Sequence, residues 1–165
     1  MTAINNVTRL LDSKGIVYTA HVLPPEKLGA LEAAGIMGVP AEQVFKTIVV
    51  TRAPESKIQK QVLAVIPGPA SVDLKALAAL LGEKKVFLPT ERQAEALTGL
   101  QAGGISPLAL INKGFQVVVD SAATQHERIY ISGGQRGLNL ELSAADLIEL
   151  TAAHVGAISR SETGQ

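Results

Sequence analysis

The chain contains no cysteine and no tryptophan, and aromatic residues make up only 3% of its 165 positions. Without cysteine there can be no disulfide, no thiolate nucleophile from the protein and no thiolate metal site, and the redox compartment is left open. Without an aromatic surplus there is little surface on which bases could stack. The formal net charge is zero, so the basic excess of proteins that hold long duplexes or single strands is missing as well. A broad nucleic-acid footprint is excluded, and so is DNA as a partner; any contact with a polynucleotide must be narrow. No apolar run is long enough to span a membrane, and residues 1–11, with Asn5, Asn6 and Arg9, do not read as a signal peptide. A cytoplasmic location is the expectation.

What the chain does contain is 47% hydrophobic residues against 18% charged ones, enough to bury a core built from Ala, Val, Ile and Leu in one domain. We expect that domain over residues 1–158 and a polar tail over 159–165. Ile4, Val7 and Leu11 before Gly15 predict a helix over residues 3–14, and residues 16–22 a strand. Residues 26–37 read as roughly helical. Residues 44–51 and 61–66 are β-branched strands joined by the connector 52–60, which together suggest a hairpin with a long loop.

Asp73 predicts the cap of a helix ended by Gly82, and Thr90 with Gln93 has capping-box spacing before a helix that stops at Gly99. Residues 85–88, 115–120, 128–132 and 138–142 read as strands, and Ser143 caps a last helix to about residue 153. Strands outnumber strand-helix-strand units. The expected class is therefore α+β with a mixed, mostly antiparallel sheet rather than a doubly wound parallel one.

Lys46 is the most informative single residue. In an extended strand it shares a face with Val44, Ile48 and Val50, so its amine either snorkels to water from the strand end, the commoner outcome, or lines a pocket. In Gly103-Gly104-Ile105-Ser106-Pro107, two glycines precede a proline. They either let the backbone approach a ligand with bare amide donors or make a plain turn. Arg136, within Gly133-Gly134-Gln135-Arg136-Gly137, could fork onto a phosphate or simply be solvated.

His21, His126 and His154 lack zinc-ligand spacing, so no metal is expected. Ser106 has no assignable acid or histidine, which leaves a serine triad unsupported. Glu141 and Asp146 read as a solvated strand position and a helix first turn.

Taken together and in order, Gln43-Val44-Phe45-Lys46-Thr47, Gly103-Gly104-Ile105-Ser106-Pro107-Leu108 and Tyr130-Ile131-Ser132-Gly133-Gly134-Gln135-Arg136-Gly137-Leu138 resemble the YbaK family of tRNA-editing proteins. That family is related to the editing insertion domain of bacterial prolyl-tRNA synthetase, and the resemblance spans nearly the whole chain. It implies a barrel-like mixed sheet with flanking helices. The branch most similar in look is the Cys-tRNA(Pro) deacylases, which act in trans on tRNA mischarged by prolyl-tRNA synthetase. The implied partner is the aminoacyl-tRNA 3′ end, with prolyl-tRNA synthetase as a second candidate, and no cofactor is implied.

By resemblance Lys46 is the essential lysine. The segment around Gly103 and Gly104 holds the aminoacyl ester and terminal adenosine, with the two amides facing the carbonyl oxygen. Leu28, Thr47, Ile105, Ser106, Pro107, Ser132, Gly133, Arg136 and Asn139 complete the implied substrate site. In the cysteine-specific branch the substrate's own thiol attacks its ester and leaves as a thiolactone. Alternatives are a deacylase for alanine or serine that uses water, and a binding module that only sequesters its ligand.

The sequence also departs from the family pattern. Gln135 stands where lysine is usual, Ala109 where glycine is, and Asn139 where aspartate is; residues 22–25 are Val-Leu-Pro-Pro and lack a tyrosine. An asparagine at position 139 can hydrogen-bond but cannot orient an amine by charge.

Overall fold

The computed structural model describes residues 4–52 and 60–162. Most of the predicted 52–60 connector therefore lies outside the described residues, as do the start of the predicted first helix and the last three positions of the expected tail. The elements run α1 (Asn6–Ser13), β1 (Tyr18–Val22), α2 (Ala30–Met37), β2 (Phe45–Val50), β3 (Gln61–Pro67), β4 (Ala70–Val72), α3 (Leu74–Leu81), α4 (Glu91–Thr98), β5 (Phe115–Asp120), β6 (Arg128–Ser132), β7 (Leu138–Ser143), α5 (Ala144–Thr151), β8 (His154–Gly156) and β9 (Ser159–Ser161). Among the described residues no helix is long and apolar enough to cross a membrane.

Helix ends follow side-chain chemistry. Asn5 Oδ1 accepts from the Thr8 amide at 2.9 Å and the Asn5 amide donates to Thr8 Oγ1 at 2.8 Å in return, so α1 starts after Asn5 instead of at residue 3. Asp73 caps α3 and Gly82 ends it in the left-handed region at φ 72°. The Thr90–Gln93 capping box opens α4 as its spacing predicts. Gly29, extended at φ −74° and ψ 166°, delays α2 to Ala30, which frees residues 26–28 from the helix expected there.

Among the described residues three sheets form a mixed α+β architecture as expected, although they do not close into a barrel. One is antiparallel in the order β1-β7-β6; a second, β2-β3-β5-β8, is antiparallel between β2 and β3 and parallel thereafter; β4 and β9 make an antiparallel pair. The main core lies between the first two sheets, where Phe45, Val49, Leu63, Val65, Ile129, Ile131, Leu140 and Leu142 meet with α1 and α5 at the margins. The opposite face of the second sheet is buried too, with Val50, Val62, Ala64 and Ile66 under Val72, Leu77 and Ile158. Burial on both faces is why β3 is a continuous apolar run without alternation.

One sequence expectation fails here for lack of local signal. Residues 85–88 form no strand: Phe87 alone bridges Thr51. Residues 159–161, in the expected polar tail, form a strand: Ala70, Ser71 and Val72 pair with Ser161, Arg160 and Ser159.

Candidate active site

A cavity of about 640 Å³ opens beside β2 and runs from the residues before α2, along β2, to Leu88, Pro89 and Gly103. Its size and mainly aliphatic wall suit one small ligand held by a few polar groups. Its floor is a strand edge. Val44 accepts from the Gly68 amide at 2.7 Å on the β3 side, whereas Thr51 exchanges bonds of 2.8 and 2.9 Å with Phe87 on the other side. Alternation then turns the backbone groups of Lys46, Ile48 and Val50 toward β3 and those of Thr47 and Val49 outward. Val44 bridges Tyr130 at one end of this edge and Thr51 bridges Phe87 at the other.

Lys46 lines the cavity with its side chain 29% exposed, so the two outcomes read from sequence coexist: the stem lies against the wall and the amine reaches the opening. Its face is shared with Ile48 and Val50, which pack into the second core, but Val44 joins a separate cluster with Ala34 and Tyr130. Glu162 stands 3.7 Å from the Lys46 ammonium. Nothing in the polar composition of the last residues signalled that contact.

Asn139 is paired across β7 with His21 and Ser132. It lines the cavity, is only 8% exposed, and its Oδ1 is a buried acceptor without a hydrogen-bond partner among the described residues. A buried acceptor of this kind is costly until a donor meets it, and a ligand in the cavity is one source of such a donor.

The same sheet face carries Glu141, which is satisfied: it lies 3.2 Å from His21 Nε2 and 3.3 Å from Arg128 Nε. The Tyr130 ring is tilted against His21 with centroids 5.6 Å apart. Burial, followed by the charge and hydrogen bond of Glu141, pushes the Tyr130 phenol above its ordinary pKa. The solvated strand position expected for Glu141 is thus an ion-pair centre.

Gly103 lines the cavity at φ 87°, and a Cβ there would come within 3.1 Å of Lys27 Cα. Its neighbour behaves differently. The Gly104 amide donates to the Gln101 carbonyl at 2.8 Å, and a Cβ on Gly104 would meet the Gln135–Arg136 backbone at 2.9 Å. Gly104 serves close packing and does not line the cavity, so its amide is not presented there.

Arg136 donates from Nε to the Ala102 carbonyl at 2.7 Å, which clamps the 133–137 turn to the glycine segment. Ser106 is fully buried and its Oγ accepts from the Leu108 amide at 3.2 Å, with Pro107 starting a short 3-10 turn. Gly133 lets Leu138 approach, since a Cβ would lie 2.6 Å from its Cγ. Ser106, Pro107, Gly133 and Arg136 shape the site from behind, whereas Leu28, Thr47, Ile105 and Ser132 line it with Lys46, Gly103 and Asn139.

Sequence reading missed Lys27, Glu91, Leu88 and Pro89. Lys27 and Glu91 form a 2.5 Å ion pair between the segment before α2 and the first turn of α4. No periodicity joins residues so far apart. Among the described residues no three His, Asp or Glu side chains gather closely enough to hold a metal ion.

Comparison with known proteins places these features in context. The family model for the aminoacyl-tRNA editing domain matches residues 25–150. A protein of Enterococcus faecalis, EbsC, named as a proposed Cys-tRNA(Pro)/Cys-tRNA(Cys) deacylase, is 31% identical over 159 residues, covering 95% of this chain and 94% of that one. The crystal structure of a hypothetical protein superposes with a TM-score of 0.84 at 27% identity, over 94% of this chain and 100% of the other. The crystal structure of a proposed trans-editing enzyme for prolyl-tRNA synthetase gives a TM-score of 0.76 at 21% identity over 96% of this chain and 99% of that one, a likeness of fold alone.

Proposed function

Because the chain belongs to the aminoacyl-tRNA editing domain family, we propose that it removes cysteine from mischarged tRNA(Pro) in trans, as a single editing unit working in the cytoplasm without a cofactor. The observation that carries this reading is Asn139 Oδ1, a buried acceptor without a partner among the described residues, in the same cavity as Lys46. An α-ammonium group is a donor that such an acceptor recognises, and an ester placed beside it comes within reach of a cation. The name of the 31% identical relative supports the choice of cysteine.

An aminoacyl ester is already activated, so positioning and oxyanion stabilisation suffice. The cysteine Sγ attacks its own carbonyl carbon, the tetrahedral oxyanion collapses, the bond to the ribose oxygen breaks, and that oxygen takes up the thiol's proton. The products are free tRNA and a thiolactone. Lys46 supplies positive charge near the developing oxyanion and Gly103 the amide donor; Gly104 has no part in this because its amide is committed to Gln101. The chain's lack of cysteine is no obstacle when the nucleophile belongs to the substrate. Mischarged tRNA(Pro) released by prolyl-tRNA synthetase is the partner in this reading.

The test is a deacylation panel of Cys-, Ser-, Ala- and Pro-tRNA(Pro) with purified protein. Rapid loss of cysteine alone is the expected result. Equal loss of serine or alanine would move the specificity elsewhere within the family, and no loss of any would leave a binding module.

A further inference from the structure

The β1-β7-β6 sheet ends in an open edge at β1, which pairs with β7 alone; among the described residues no backbone group bonds to the main chain of Tyr18–Val22 from the other side. The Leu23 amide donates to the Gly137 carbonyl at 2.9 Å, one position beyond the Val22–Leu138 pair. Alternation then turns the main-chain groups of Thr19 and His21 toward β7 and those of Tyr18, Ala20 and Val22 outward. Other edges are held or shorter. Val44 bridges β6 and the Gln43 side chain donates to its Arg128 carbonyl, β2 is closed by the bridges at Val44 and Thr51, and β4, β8 and β9 have three residues each.

Exposed edges are normally blunted by a lysine, a proline, a bulge or a covering segment. From Ile16 to Leu23 the chain has no lysine, arginine, acid, proline or glycine, and the aliphatic Val17 and Val22 are 72% and 53% exposed. The outward groups are also symmetric about Ala20. Under a two-fold axis there, Ala20 faces Ala20 and Tyr18 faces Val22, each as a hydrogen-bonded pair, so that every outward N–H and C=O of the strand meets its complement. Continued past the strand ends, the same register sets Lys14 opposite Glu26. Both are exposed, and neither belongs to an ion pair among the described residues.

We infer that the β1 edge is the docking surface for a second copy of this chain, which pairs with it antiparallel about Ala20 and joins three strands from each copy into one sheet. The contact is isologous and closed, because each copy commits its whole open edge to the other. One short ladder buries less than the ~1,200 Å² of a standard stable interface, so the dimer is weak and exchanges with monomer.

Sedimentation of the full-length protein from millimolar to low micromolar concentration should show reversible dimerisation. Residue-resolved amide exchange by NMR at the two ends of that range reads the edge itself. The Tyr18, Ala20 and Val22 amides should gain about tenfold or more in protection at high concentration, whereas the Thr19 and His21 amides, which face β7, are protected at both.

Ala20→Pro removes the central outward N–H from each copy and leaves the β7 ladder intact; it should raise the dimer dissociation constant about tenfold or more. Lys14→Glu and Glu26→Lys should each weaken self-association about threefold, and an equimolar mixture of the two should restore it, since unlike charges then meet at both ends of the ladder. A protein that stays monomeric at every concentration would overturn the proposal. So would outward amides that are equally protected when dilute, because another part of the same chain then covers the edge. A dimer indifferent to Ala20→Pro and to both charge variants would place the contact elsewhere and overturn it too. Should Ala20→Pro fail to fold, amide exchange in wild type and the mixed charge variants still decide.

Discussion

Lys46 Nζ and Glu162 Oε1 stand 3.7 Å apart, so a side chain of β2 meets a carboxylate delivered by the end of β9. Both are partly exposed, and an ion pair of that kind is worth well under 1 kcal/mol to folding. Its effect on the site is another matter, because a substrate that engages the ammonium must displace the carboxylate. Glu162→Gln is expected to lower KM by up to about fivefold, the scale of an exposed pair, with little change in kcat. The difference should shrink as salt is raised. Steady-state kinetics at two ionic strengths measure both effects.

Lys46→Ala should reduce kcat by roughly 100-fold or more, the cost of losing an oxyanion-stabilising group, while the melting temperature stays near wild type. The side chain is 29% exposed and its partner Glu162 is open to water, so no buried charge is stranded. A folded Lys46→Ala protein with normal turnover would remove this residue from the mechanism.

Asn139→Ala separates stability from function. With Oδ1 unpartnered among the described residues, its removal should raise unfolding free energy by about 1 kcal/mol, because the truncation only widens a cavity that already exists. Activity should fall in the same protein. Denaturant melts and deacylation rates on one preparation check the opposed signs.

Gly104→Ala places a methyl group 2.9 Å from the Arg136 amide nitrogen, a backbone clash that no rotamer relieves. A loss of about 1–3 kcal/mol in stability is expected, with a fall in activity as the displaced segment carries Gly103 away from the ester. Chemical denaturation reads the first effect and single-turnover deacylation the second.

The identity of the attacking atom can be tested on the substrate. If the cysteine thiol attacks, Ser-tRNA(Pro) should be cleaved poorly, and S-methylation should protect the ester, provided that the methylated substrate still competes for the site. Turnover of either at the rate of Cys-tRNA(Pro) would make water the nucleophile.

What the sequence revealed follows from how local each determinant is. The Thr90–Gln93 capping box, the Asp73 cap and the stops at Gly82 and Gly99 act within four residues and were legible as spacing. The β2–β3 hairpin was legible from two β-branched runs, and Lys46 from its place among aliphatic neighbours. By contrast β9 is polar and exists only through pairing with β4, nearly ninety positions away on the residue numbers. Lys27 with Glu91, and Lys46 with Glu162, are equally nonlocal. Family resemblance points to Gly103 and Gly104 alike, but only the three-dimensional arrangement separates the glycine that lines the cavity from the one that packs behind it.

The position of β9 also bears on how the protein comes to be made. Synthesis proceeds from the amino end at about 5–20 residues per second, so Lys46 and the β2–β3 hairpin emerge from the ribosome long before residues 159–162. Until those residues arrive, β4 has no partner strand and the lysine no carboxylate beside it. A nascent chain stalled shortly before Ser159 would therefore hold Lys46 without its counter-ion, in the company of the charged tRNAs that the ribosome is consuming.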